Sequence, residues 1–201
     1  MKINKKHMFP TIVYTIDNVL KKEHIDNIRK HILYSYTEDP GENWQSEPSL
    51  QKNDEYKILS DKIIELGKYV FDDLKYVYNQ FEITDMWANV SKQGEYHKPH
   101  THSNNILSGV LYIQSDQSAN IRFTDPRPAA DILSPDMREY NDENSHICSY
   151  PSKVNTMLLF PSWLQHYVTG NQSRDERISI SFNLMLRGLV GSETSLQSAK
   201  F

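Results

Sequence analysis

The sequence predicts a mainly β protein with helices confined to its N-terminal part. Apolar residues recur at period 3.6 within the first 80 residues, and beyond residue 80 the period drops to 2 in a series of short runs. Gly, Pro and Asn punctuate those runs, as in a sandwich, a barrel or a jelly roll. A chain of 201 residues is enough for one domain around one core. Residues 1–201 are therefore read as a single domain: 1–80 a strand and supporting helices, 81–187 the β core, and 188–201 a small polar tail expected to fray.

The elements follow in order. Thr11 to Ile16 (TIVYTI) alternates weakly and predicts a strand, with Asp17 or Asn18 placed to cap what comes next. Leu20, Ile25, Ile28, Ile32 and Leu33 predict a helix over about 20–35. Glu38 to Ser49 is rich in breakers and reads as loop. Ile58, Ile63, Ile64, Leu66, Val70, Phe71 and Leu74 predict a second helix over about 57–79. Strand patterns follow at 83–91, 106–114, 120–124, 156–160, 166–169 and 177–186. Between them, 126–154 carries Pro126, Pro128, Pro135, Pro151 and the acidic pair Asp142 and Glu143. A long irregular insertion in a compact domain is often a functional lid, and its acidic content hints at a basic or peptidic substrate.

Composition removes several classes. The aromatic fraction of 11% is too high for a solvated tail. A net charge of −4 disfavours a general nucleic-acid binder. No apolar run approaches the roughly 20 residues of a membrane helix, and no apolar stretch follows the lysine-bearing Met1 to Pro10, so neither a membrane span nor a signal peptide is expected. Cys148 is the single cysteine, which leaves no intrachain disulfide and no thiolate zinc cluster. The expectation is a cytoplasmic protein (host cytoplasm if viral) that binds any metal through His and carboxylates.

Eight histidines are present, and His97, His100 and His102 fall within six residues. Residues i and i+2 of a strand share a face, so His100 and His102 can converge on one ion while Thr101 faces away. His166, at the start of another predicted strand, is the candidate third ligand. Imidazole suits Fe, Zn, Cu or Ni. A polar loop with coincidental histidines is the bland alternative, and His24 and His31 read simply as surface residues. In the last strand Arg177, Ser179 and Ser181 share one face, and Ile178, Ile180 and Phe182 the other. A guanidinium and a hydroxyl two residues apart suit a carboxylate. The alternative is an outward polar face with Arg177 paired to Asp175 or Glu176.

Taken in sequence, these segments resemble the iron(II)/2-oxoglutarate-dependent oxygenases over residues 85–185. The likeness is greatest to the small oxygenases of microbes and phages, and more distant to prolyl 4-hydroxylases. It is carried by Gly94-Glu95-Tyr96-His97-Lys98-Pro99-His100-Thr101-His102, by Ser108-Gly109-Val110-Leu111-Tyr112, and by Phe123 to Arg127. Phe160-Pro161-Ser162-Trp163-Leu164 with His166, and Arg177 to Asn183, complete it. The resemblance implies a double-stranded β-helix (jelly-roll, cupin-like) core and the use of iron(II), 2-oxoglutarate and dioxygen. It implies His100 and His166 as iron ligands, with His102 standing where Asp is commonest. Asp125 is the competing carboxylate ligand, its other reading being a turn residue before Pro126. Arg177 and Ser179 are implied on the far carboxylate of 2-oxoglutarate, with Tyr112 at a position that relatives use for the same group. Trp87 and Asn89 are expected at the mouth, Asn89 as a further co-substrate contact.

The implied reaction is hydroxylation with release of succinate and carbon dioxide. The prime substrate, whether peptide, protein side chain or metabolite, is not legible, and the oligomeric state, a homodimer among the options, stays open. Two rival readings stand beside this one. The first is a cupin-like metalloenzyme of other chemistry, such as a three-His dioxygenase or an isomerase. The second is a non-catalytic jelly-roll binding module.

Overall fold

The computed structural model describes residues 1–36, 43–127, 129, 132–194 and 196–201. Strand β1 (Tyr14–Asp17) is followed by helix α1 (Lys22–Ser35), strand β2 (Trp44–Gln45) and helix α2 (Lys57–Asp73). The β core then runs through β3 (Gln80–Ser91), β4 (His97–His100), β5 (Leu107–Gln114), β6 (Asn120–Thr124), β7 (Ile147–Pro151), β8 (Thr156–Pro161), β9 (His166–Val168) and β10 (Arg177–Arg187). A major sheet has the order β1-β8-β5-β10-β3-β2 and a minor sheet the order β4-β9-β6-β7. Their strand pairs are antiparallel. This is the double-stranded β-helix that the sequence resemblance implied.

The major sheet is buried on both faces, and the alternation of side chains explains how. Met86, Ala88 and Val90 of β3, Leu111 and Ile113 of β5, Met157 and Leu159 of β8, and Ile178, Ile180, Phe182 and Leu184 of β10 form one core with the helices. Ile25, Ile28 and Ile32 of α1 and Leu59, Ile63, Val70 and Phe71 of α2 supply the other side. The intervening residues face the minor sheet. There Val110, Tyr112, Leu158 and Phe160 meet Ile121 and Phe123 of β6 and Leu164 in a smaller apolar cluster. The apolar face of β10 thus packs outward on helices, and its polar face looks into the barrel. Alternation alone identifies the two faces but not which one is the interior.

Several boundaries differ from expectation for local reasons. Neither Asp17 nor Asn18 caps α1, which starts at Lys22 behind an uncapped Lys21; Asp17 accepts from Thr156 Oγ1 (2.7 Å) and Lys153 Nζ (3.0 Å) instead. Helix α2 stops at Asp73 rather than 79, because Lys75 takes a left-handed backbone (φ 59°). Tyr76, Tyr78 and Phe81 then fold their rings around Phe71. Part of the loop expected over 38–49 is β2, which pairs with β3; residues 38–42 of that loop lie outside the described residues, as does Pro128 of the insertion. The insertion itself is not irregular to its end: Ile147–Pro151 is β7, an edge strand whose Cys148 and Tyr150 alternate inward and which Pro151 closes. The tail is not simply frayed either. Leu189–Val190 (β11), half-buried with Val190 against the core, pairs with the exposed Ala199–Lys200 (β12) behind Gly188 (φ 88°). No described helix is long and apolar enough to cross a membrane.

Candidate metal centre and co-substrate cavity

Strand pairing brings the histidines together. His100 ends β4 and sits opposite His166, the first residue of β9. His102 lies beyond the end of β4, so its convergence is not the i, i+2 rule of one strand. Its backbone N–H donates to Ser162 O (2.9 Å), which anchors the turn against the end of β8. The ligand atoms of His100, His102 and His166 lie within 4.8 Å of one another, and the ring centroids are 4.4–5.2 Å apart.

Backbone carbonyls orient two of the rings. Nδ1 of His100 lies 2.7 Å from Lys98 O, and Nδ1 of His166 lies 2.9 Å from Leu164 O. A carbonyl can only accept, so each Nδ1 carries the proton and each Nε2 keeps its lone pair, the tautomer a metal needs. Trp87 packs on His102 at 5.9 Å. Phe160 packs edge-on to His166 at 4.7 Å. Burial holds the His166 imidazolium down to about 3, the neighbouring rings adding to the effect and the bond to Leu164 opposing it. Burial first, then His100, holds His102 down to about 4, with Asp85 opposing. Both rings are therefore neutral ligands at physiological pH. Asp125 is not part of the cluster. Its Oδ1 accepts from the backbone N–H and Nε of Arg127, and its Oδ2 accepts from Nη2 at 2.7 Å.

Deeper in the same cavity lies Arg177, only 3% exposed. The alternative pairing with Asp175 or Glu176 does not form. Its one hydrogen bond among the described residues goes from Nη2 to Ser91 Oγ (3.3 Å), and Nε has no partner. Burial depresses its pKa, and Tyr112 partly offsets this. The buried Tyr112 hydroxyl and His97 Nε2 also lack partners. Ser179, 2% exposed, stands between Asn89 and Tyr112 in the strand register. Arg177, Tyr112, His97 and Ser179 line one interior cavity with the three histidines.

Asn89 lines it too, but its amide is engaged. Its Oδ1 accepts from Gln45 Nε2 (2.8 Å) and Trp87 Nε1 (3.2 Å), and its Nδ2 donates to Ser181 Oγ (3.0 Å). Sequence reasoning missed Gln45, which reaches the site through the distant pairing of β2, and Ser91. It also passed over His97, although that residue stood inside the quoted histidine cluster.

The donor set fits an iron ion, since three imidazoles converge, and it fits a dianionic 2-oxo acid. A buried guanidinium without a carboxylate is expensive and invites an anion.

Residues 85–183 match the family described as "Putative 2OG-Fe(II) oxygenase". The fold is shared with solved structures at low identity. The non-heme α-ketoglutarate-dependent epimerase SnoN of nogalamycin biosynthesis superposes with a TM-score of 0.67 at 10% identity, over 92% of this chain and 83% of that one. HygX from Streptomyces hygroscopicus, with nickel and 2-oxoglutarate bound, gives 0.61 at 12% identity over 95% and 91%. A Pseudomonas putida prolyl-4-hydroxylase gives 0.61 at 12% identity over 89% of each chain. No curated protein sequence matches significantly. The β core thus has the fold of these solved structures. Residues 85–183, just under half of the chain, resemble the family just described, and the three-histidine cluster is compatible with iron and 2-oxoglutarate use.

Proposed function

We propose that the protein is an Fe(II)- and 2-oxoglutarate-dependent hydroxylase of the cytoplasm. The carrying observation is the buried Arg177, which has no carboxylate partner among the described residues, in one cavity with three convergent imidazoles. When bound, the iron supplies dioxygen activation coupled to decarboxylation of the 2-oxo acid to succinate and carbon dioxide.

In this reading the chain's own groups divide the work. His100, His166 and His102 hold the metal. The carbonyls of Lys98 and Leu164 fix the tautomers of His100 and His166. Arg177 pairs with the far carboxylate, and Ser179 and Tyr112 supply hydroxyl donors to it. Asn89 acts by positioning: it ties Gln45 and Trp87 together, and Trp87 covers His102. Val110, Ile121 and Phe160 line the cavity and keep it dry.

The prime substrate reaches His100 from an outer groove of ≈ 740 Å³ lined by Asn43, Tyr96 and Lys98 among others. That is within the roughly 300–1,000 Å³ of small-molecule sites. It suits a metabolite or one side chain of a peptide rather than an extended macromolecular face.

The test is the visible spectrum of anaerobic protein with Fe(II), before and after 2-oxoglutarate. A metal-to-ligand charge-transfer band should appear, vanish in His100→Ala and His166→Ala, and weaken in Arg177→Ala. Metal bound without a band would move the protein to cupin-like metalloenzymes of other chemistry. No metal binding would leave a binding module.

A further inference from the structure

His97 is assigned no role by the reading above, yet its environment is unusual. It opens β4, where its backbone pairs with Val168 of β9. Its ring forms the wall between the inner cavity and the outer groove and lines both. Nε2 is buried without a hydrogen-bond partner among the described residues. Two other buried polar atoms in the same cavity share that condition, Arg177 Nε and the Tyr112 hydroxyl. They do not satisfy one another, although a phenol and an imidazole could. Buried polar atoms rarely stay unpaired, and three facing one space point to a common ligand. The guanidinium can only donate, the phenol can donate, and His97 donates from Nε2 in its Nε2–H tautomer, so one acceptor satisfies all three, and the cation makes it an anion.

Resting on the proposed function, we propose that His97 donates from Nε2 to the far carboxylate of 2-oxoglutarate and, with Arg177 and Tyr112, selects a 2-oxo diacid over a 2-oxo monoacid. Burial first, and then the nearby Arg177 guanidinium and His100, disfavour protonation of the ring, so it is a neutral group beside the fixed cation. Ser179 completes the site from β10.

The experiment is calorimetry on anaerobic Fe(II)-loaded protein with 2-oxoglutarate and with 2-oxopentanoate, which has the same chain length but no far carboxylate. His97→Ala should weaken 2-oxoglutarate binding roughly ten- to hundredfold, the range for a hydrogen bond to a charged group. Affinity for 2-oxopentanoate should change less than about threefold, since that acid makes no bond the deletion could remove. His97→Gln, which keeps an N–H near Nε2, should recover most of the loss, and His97→Phe, which keeps the bulk, should not. This last pair carries the test if the alanine variant does not fold. Unchanged 2-oxoglutarate affinity in His97→Ala overturns the inference and leaves the proposed function standing. Equal loss for both acids, or loss of iron, overturns it as well, because His97 would then be structural. Failure of the unaltered protein to bind 2-oxoglutarate at all defeats the proposed function itself.

Discussion

Arg177 costs the unliganded protein stability and repays it on binding. Its desolvation is not offset by any carboxylate among the described residues, so replacing it by an apolar residue of similar length should relieve the barrel. For Arg177→Met we expect an unliganded protein more stable by about 1–3 kcal/mol, and an affinity for 2-oxoglutarate lower by roughly thirtyfold or more, because a charge-assisted pair is lost. Denaturant melts and calorimetry on the same preparation would show the opposed signs. A loss in both would mean that Arg177 is structural.

The histidines predict a pH effect. His97, His102 and His166 are held at about 4, 4 and 3 by burial, against about 6.5 in the unfolded chain. Between those values the unfolded state binds more protons. Stability is therefore full above pH 6.5 and falls as pH drops toward 4, by at most about 1.4 kcal/mol per pH unit for each ring. Metal-free melting curves from pH 7.5 to 4.5 should show this decline, and His102→Phe should flatten it.

At the scale of elements, β5 shows why close packing constrains the frame. A Cβ on Gly109 would stand 2.3 Å from Phe182 Cζ and 2.8 Å from Leu158 O. Gly109→Ala must displace a fully buried ring that lies against the next strand, and we expect a loss of about 1–3 kcal/mol in urea unfolding.

The strands of the β core were largely legible because each is a run of alternating or apolar residues with breakers at its ends. What the pattern could not supply was pairing between distant segments. The two residues of β2 are too short to leave a period, and only their pairing to β3 brings Gln45 to Asn89. The alternation of β7 is weak because it is an exposed edge, so it disappeared into the insertion. Within the site, His100 was singled out with His102 by spacing, His166 and Arg177 by residue type at predicted strand starts, and their roles toward iron and co-substrate came only from the family resemblance. His102 was readable only as a neighbour, since a turn held by Ser162, and not strand phase, aims it. The role suggested for His97 depends on which buried atoms lack partners, and that has no signature in sequence.

For the whole molecule, ligand binding and folding are linked. Iron and 2-oxoglutarate that bind only the native barrel should raise its melting temperature: at a hundredfold excess over Kd the gain is about 2.7 kcal/mol, or some 5–11 °C for a chain of this size. Differential scanning calorimetry with metal and 2-oxoglutarate, then with excess chelator, should show the rise and its reversal. No shift would mean that the native state does not bind them.

The central place of β10 also sets an order of events during synthesis. It pairs with β3 some ninety positions earlier and with β5, and its apolar face closes the core of α1 and α2. Until residues 177–187 leave the ribosome, the helices have no complete floor, β3 and β5 lack their common neighbour, and β1 has had to wait for β8. The nascent chain therefore carries exposed apolar helix faces until β10 has emerged, a period in which a chain is open to aggregation and to chaperone capture. Arg177 stands at the head of β10, after every other strand that lines the cavity, so the co-substrate cavity is completed only once β10 is in place.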